Sequence, residues 1–298
     1  MYISDFNYFK PKSIKEATIM LEQSDDSAPL AGGTDLLVEI KQGLRHHKNI
    51  ISLSDVEELK HITEEPTGIY IGAGITHNEL IASDLIKSKL PGIALAASKI
   101  GSDQVRNKGT IGGNICTAAS CCDLGPVLIS LNASVEMASS TETRTVPLIE
   151  FFVFHRKTNL KKGELVTRIF VPYPDTNTGV HIEKFGLREA AAVSVASVAV
   201  MVKLQAGICE DACIVIGAVA PTPKISDRAI VQIKGKDISL LTENSEILKQ
   251  AGNAAAEDAV PIDDIRGGAN YRRDLLKVLT RRAIVNAIAQ AQLNNDNK

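Results

Sequence analysis

At 298 residues the chain is long enough for a large buried core and more than one small domain. Lysine and arginine total 33 against 35 aspartates and glutamates, a formal charge of −2, and only 4% of residues are aromatic, none of them tryptophan. That excludes the basic face of a nucleic-acid binder and the stacking platform of a single-strand or sugar binder. No apolar run is long enough for a bilayer, and residues 1–10 lack the basic-then-apolar order of an export signal. Five cysteines, an odd number, favour a reducing cytoplasm over a disulfide framework.

Ser13-Ile14-Lys15-Glu16 has the pattern of a capping box, in which the hydroxyl accepts from the Glu16 amide and the carboxylate reaches back. Ile14, Ala17, Met20 and Leu21 then recur at helical spacing. Residues 29–31 read as a strand entering Gly32-Gly33, and a helix over 34–42 stops at Gly43, a residue suited to a left-handed C′ position. With a second strand at 50–53 this is a small α/β unit. Another unit begins near Leu59: a strand at 69–71, a capping box from Thr76 to Glu79 and an alanine-rich helix over 92–100. A glycine-rich loop at 109–113 leads into 114–123, followed by a helix over 124–131 and strands over 133–138 and 166–171. Beyond residue 175 come two long strands, 194–205 and 212–219, with a turn at Ala206-Gly207 and an end at Pro221 and Pro223. Helices over 242–256 and 271–292 complete what reads as a separate α+β domain from about residue 176, with no internal repeat.

Two motifs carry chemistry. In Leu30-Ala31-Gly32-Gly33-Thr34-Asp35-Leu36-Leu37, paired glycines admit close approach of a bulky anion, and successive amides form a nest suited to phosphate. Thr110-Ile111-Gly112-Gly113-Asn114 offers the same ingredients. Taken singly, each is also explained as a tight turn; together they could hold the two phosphates of a diphosphate from two subdomains. Neither fits the G-x-G-x-x-G fingerprint or a P-loop, so any nucleotide is bound in a non-Rossmann manner. Asp123 either accepts from a sugar hydroxyl or caps the helix at Leu124. Cys116, Cys121 and Cys122 contain no C-x-x-C and read as buried or loop thiols rather than metal ligands. Arg266-Gly267-Gly268 with Tyr271-Arg272-Arg273 is either an anion site or the charged coat of an exposed helix start.

In this order along nearly the whole chain, these motifs resemble the FAD subunit (medium chain) of the molybdenum hydroxylases, the family of xanthine and carbon-monoxide dehydrogenases. Phe9-Lys10-Pro11-Lys12-Ser13, Ala220-Pro221-Thr222-Pro223 and Asp264-Ile265-Arg266 followed by Tyr271-Arg272 match its opening and its C-terminal part, although Ala119-Ser120-Cys121-Cys122 departs from the usual Pro and Ser before Asp123. The resemblance implies an α+β chain. A vanillyl-alcohol-oxidase-type (PCMH) FAD-binding domain over 1–175, with two α/β subdomains at about 1–57 and 58–175, would precede a C-terminal domain of a small antiparallel sheet and helices over 176–298. It further implies that residues 30–37 and 110–114 hold the FAD diphosphate. Asp123 would bind a sugar hydroxyl, Ile100 would lie near the flavin or ribityl chain, and Val166 and Lys184 would line the isoalloxazine. No residue of this chain is catalytic towards the organic substrate. A large molybdopterin subunit would oxidise the substrate, and a small subunit with 2Fe–2S clusters would deliver the electrons to FAD and on to NAD or another acceptor. Pro221-Thr222-Pro223 leans the resemblance towards a xanthine dehydrogenase-like system. The alternatives are carbon-monoxide or nicotinate dehydrogenase-type subunits, or a stand-alone flavin oxidoreductase.

Overall fold

The structure, a computed structural model, describes residues 5–188 and 192–296. Its first unit is a three-stranded parallel sheet in the order β1-β3-β2, from β1 (Asn7–Phe9), β2 (Ser27–Leu30) and β3 (Asn49–Ser52). Helix α1 (Ile14–Gln23) connects β1 to β2, and α2 (Leu36–Lys41) connects β2 to β3. Ser13 caps α1 as its spacing predicts, but the Glu16 carboxylate accepts from the Lys12 amide at 2.8 Å rather than from Ser13. Ala28, Leu30, Ile40 and Ile50 form a small core of their own.

The second unit is a five-stranded antiparallel sheet in the order β4-β5-β10-β6-β7. Strands β4 (Ile62–Glu65) and β5 (Gly68–Gly72) open it. A helical run follows: α3 (His77–Ala82), α4 (Asp84–Lys89), α5 (Pro91–Ser98), α6 (Asp103–Arg106), α7 (Ile111–Thr117) and α8 (Leu124–Ser130). The Thr76–Glu79 box is complete, with both reciprocal bonds present. Strands β6 (Ser134–Ala138) and β7 (Thr143–Pro147) come next, then α9 (Leu148–Phe151) and a small hairpin of β8 (Phe152–Phe154) and β9 (Lys157–Thr158). Strand β10 (Leu165–Pro172) returns to the middle of the sheet.

The last sheet is antiparallel, in the order β11-β12-β13-β14, from β11 (Thr178–Gly186), β12 (Ser194–Gln205), β13 (Ile208–Gly217) and β14 (Lys224–Ile225). Its hairpin turns at Ala206 and Gly207, both left-handed, as read from the sequence. Helices α10 (Asp227–Ile233), α11 (Glu246–Asp258) and α12 (Ala269–Asp296) follow. Strand β12 is buried on both faces, which explains why apolar residues run without alternation from Val198 to Val202. Val198, Val200 and Val202 join the core under α11 and α12, while Ala199 joins the core of the preceding unit. Helix α8, buried over all seven residues, is covered from the same side, and Gly217 of β13 sits against Pro126. Gly179 lets α12 lie directly on β11: a Cβ there would fall 2.0 Å from the Ala287 carbonyl oxygen. The C-terminal sheet is thus fixed against α8, the helix that Asp123 precedes. No helix among the described residues is long and apolar enough to cross a membrane.

Candidate functional site

The first glycine motif joins β2 to α2. Gly33 adopts φ +72°, which glycine supplies at least cost, and the Leu30 and Leu37 side chains close the space behind it. Helical bonding starts only with Leu37, whose amide donates to the Gly33 carbonyl, so the helix predicted from residue 34 begins at Leu36. Among the described residues, nothing accepts from the amides of Gly32, Gly33, Thr34 and Asp35. Four successive unengaged N–H groups in a half-exposed turn fit an anion such as a phosphate.

The second motif departs from expectation. Thr110 to Asn114 is not an open amide cradle but the start of α7, with Thr110 as its N-cap. Its amides are already engaged: Ile111 donates to the Ile75 carbonyl, Gly112 to Ala73, Gly113 to the Thr110 hydroxyl at 3.0 Å and Asn114 to the Thr110 carbonyl. Gly112 is glycine because a Cβ would fall 2.6 Å from the Ala73 carbonyl oxygen. What the motif contributes is close approach, the Thr110 hydroxyl and the Asn114 side chain, rather than free N–H groups.

The two motifs do converge. A Cβ on Gly32 would lie 1.7 Å from the Lys108 carbonyl oxygen and 3.0 Å from the Gly109 nitrogen, so the first turn rests on the backbone entering α7. The Thr117 hydroxyl donates to Asp35 at 3.2 Å, tying the far end of α7 to the start of α2. His77, 2% exposed, lies behind Gly109, and its amide donates to the Gly109 carbonyl. Burial, then the nearby Arg106, pulls its imidazole down to about 4, so the ring backing this loop is neutral at ordinary pH. Sequence reading passed over His77, although it directly follows the Thr76 cap.

Asp123 and Lys184 form a second focus. Lys184 Nζ donates to Asp123 Oδ2 at 2.6 Å and to the Lys99 carbonyl at 2.7 Å, and the Ser194 hydroxyl donates to Asp123 Oδ1. Asp123 makes no side-chain cap on α8, so the capping alternative is overturned: its carboxylate is spent on Lys184 and Ser194. Burial pushes its carboxyl above the usual range, against the pull of Lys184 and Ser194. Ile100 follows Lys99 and is 8% exposed; Val166, on β10, is 2% exposed. Both are core residues, so they reach a ligand only as the wall of the core. Asn114 links the two foci, accepting from Cys122 Sγ at 3.0 Å beside Asp123. Burial pushes the Cys116 thiol up to about 12 and raises Cys122 further. Among the described residues, no group of three or more His, Cys, Asp or Glu side chains is placed to hold a metal.

The 264–273 cluster is not a charged coat, because Arg272 is 3% exposed. Asp264 accepts from Arg272 at 2.7 Å and from Arg266 at 2.6 Å. Its Arg266 hydrogen bonds, outweighing burial, hold its carboxyl down at about 2. A depressed carboxylate adds stability above its ordinary value of 3.8, and that stability is lost as pH falls through the folded value. Asp264→Asn should therefore lower the melting temperature at pH 7 and flatten its dependence between about pH 4 and pH 2. Parallel melting curves for the two proteins across that window would refute the assignment.

An open cavity of about 740 Å³, lined by Pro66, Thr67, Tyr173, Lys203 and their neighbours, includes none of these residues. The cofactor assignment therefore stands on the turns and the buried pair, not on cavity size.

Comparison with known proteins agrees with this layout. Residues 4–174 match the family described as the FAD binding domain in molybdopterin dehydrogenase, and 184–287 match the CO dehydrogenase flavoprotein C-terminal domain. The glyceraldehyde dehydrogenase medium chain of Sulfolobus acidocaldarius is 34% identical over 95% of this chain and 98% of its own. The carbon monoxide dehydrogenase medium chain of Afipia carboxidovorans is 33% identical over 98% of this chain and 100% of its own. A solved carbon monoxide dehydrogenase from Hydrogenophaga pseudoflava superposes with a TM-score of 0.93 at 32% identity, covering 97% of this chain and 99% of that one.

Proposed function

Because the chain belongs to the FAD-binding medium subunits of the molybdenum hydroxylases, we propose that it is the flavin station of an oxidoreductase complex, passing electrons from an iron–sulfur partner to NAD or another acceptor. The observation that carries this reading is the seating of Gly32 on the Lys108–Gly109 backbone, with four unengaged amides beside it. FAD, when bound, takes electrons singly and releases them as a pair. The unengaged amides of Gly32 to Asp35 would hold a phosphate of its diphosphate. The Thr110 hydroxyl and Asn114 amide close the other side, where the glycines leave room. Asp123 orients Lys184, whose ammonium offers positive charge to a ring that gains electrons. Ile100 and Val166, both buried in the same core, would offer the ring apolar surface.

In this reading the partners are a large molybdopterin subunit and a small subunit with 2Fe–2S clusters, and substrate choice lies with the large one. The xanthine-like reading rests on Pro221-Thr222-Pro223. In the fold this tripeptide does structural work: the Pro221 carbonyl accepts from Ser120, and Pro223 packs on Gly125. A stand-alone flavin oxidoreductase would need its own substrate cavity against the cofactor residues, and the relatives that match along nearly the whole chain are medium chains of multi-subunit dehydrogenases.

Co-expression with a large molybdopterin subunit and a small 2Fe–2S subunit tests the proposal. The expected product is a co-purifying complex with flavin absorbance and about one FAD per copy of this chain, this chain alone having no hydroxylase activity. A complex that assembles, stays colourless and takes up no added FAD would refute the flavin role.

A further inference from the structure

Arg272 is the most deeply buried cation that the flavin reading leaves unused. Its guanidinium collects acceptors from three separate segments. Nη1 donates to the Val195 carbonyl at 2.7 Å and to the Ala218 carbonyl at 3.1 Å, Nη2 to Asp264 at 2.7 Å and Nε to the Gly267 carbonyl at 3.3 Å. A buried guanidinium with four of its five N–H donors engaged fixes the geometry of what it binds, because those donors form a rigid planar fork.

Each segment it holds touches the 120–123 loop. Val195 follows Ser194, whose hydroxyl is on the Asp123 carboxylate. Ala218 donates its amide to the Ser120 carbonyl and sits at φ +63°, a left-handed conformation that a non-glycine residue keeps only when its surroundings hold it. Asp264 holds Arg266, which lies close enough to Cys121 to affect its thiol. One side chain of α12 therefore ties down the start of β12, the bend after β13 and the 263–268 loop around Asp123.

We propose that Arg272 is a positioning residue for the flavin site: by clamping Val195 and Ala218 it keeps the Ser194 hydroxyl on Asp123, and so keeps the Asp123 carboxylate shared between Ser194 and Lys184. This rests on the flavin reading above and adds a residue outside both glycine motifs. When the clamp loosens, Asp123 loses its Ser194 partner and draws more fully on Lys184, leaving less positive charge for the reduced ring.

The test compares Arg272→Lys, which keeps the charge and loses the fork, with Ser194→Ala, which removes the final contact directly. Both are made in the wild-type and the Lys184→Met background of the assembled complex. Flavin content and flavin reduction potential are measured beside thermal stability. Both single variants should retain flavin and shift the potential downwards, and neither should shift it further once Lys184 is methionine. A loss of thermal stability without a shift in potential for Arg272→Lys would overturn the inference and leave Arg272 a stabilising residue. So would a shift of the same size in both backgrounds. If Arg272→Lys fails to assemble, Ser194→Ala decides alone, and an unchanged potential there overturns the proposal. Absence of flavin from the wild-type complex is a separate result, and it removes the flavin reading itself.

Discussion

Replacing Gly32 with alanine should strip the flavin from the assembled complex. A methyl group there would sit 1.7 Å from the Lys108 carbonyl oxygen and 2.4 Å from its carbon, and both are backbone atoms that no rotamer change can move. The first turn must lift away from the backbone entering α7, or that backbone must move, and it is pinned by the Gly109 amide donating to Val105 and by the His77 amide donating to Gly109. Overpacking of this kind costs about 1–3 kcal/mol. At about tenfold in affinity for each 1.4 kcal/mol, FAD binding should weaken by roughly 5- to 140-fold if that cost falls on the bound state. Flavin released on denaturation, measured against protein, reads the outcome. Gly43→Ala is the control: Gly43 has φ +72°, which Gly32 does not, and it meets nothing within 4 Å, so the substitution should cost backbone strain without loss of flavin. Equal flavin content in the two variants would show that the Gly32 contact does not shape the site.

That contact also marks where sequence reading succeeds and stops. Paired glycines announce a close approach, but not what approaches. The partner of Gly32 is a carbonyl 76 residues later in the chain, and only the fold supplies it. Helix α7 was hidden for a related reason. Gly112 and Gly113 disfavour a helix locally, yet the Thr110 cap and the seat on Ala73 outweigh that preference. Strands β4 and β7 went unread because they are edge strands whose residues, such as Glu64, Glu65, Thr143 and Thr145, are polar and exposed. By contrast, the Thr76–Glu79 box and the Ala206-Gly207 turn are local chemistry, and both appear where the residues place them.

Within the site, burial was the least legible property. Arg272 looked like one charge among several at a helix start, since its carbonyl acceptors on Val195 and Ala218 are 77 and 54 residues away. Ser194 and the Lys99 carbonyl carried no signal at all, because a serine in an apolar strand and a main-chain oxygen are chemically ordinary. Asp123 and Lys184 could each be picked out by resemblance, but their pairing could not, as the two lie 61 residues apart.

Exchanging Lys184 for methionine should lower the flavin potential, and the reason limits the size of the fall. In the wild type the ammonium and the Asp123 carboxylate are 2.6 Å apart and nearly buried, with side-chain exposures of 7% and 9%, so the pair carries no net charge. Without the lysine, Asp123 is left in a site where burial already pushes its carboxyl upwards, and it takes up a proton. The site is again neutral, and what disappears is the local positive end facing the ring. A shift on the order of 30 mV, about 1.4 kcal/mol for a two-electron couple, is expected. Stability follows a different course. Breaking a buried pair costs about 3–5 kcal/mol when the survivor stays charged. Here the folded carboxyl is raised above its unfolded value, so the folded state binds the extra proton, and the variant should lose further stability as pH rises towards that folded value. Adding Asp123→Asn should abolish the pH slope and recover stability while leaving the potential low. Spectroelectrochemical titration and pH-dependent melting of the three proteins separate the two effects. An unchanged potential in Lys184→Met would mean that its ammonium serves only to neutralise Asp123.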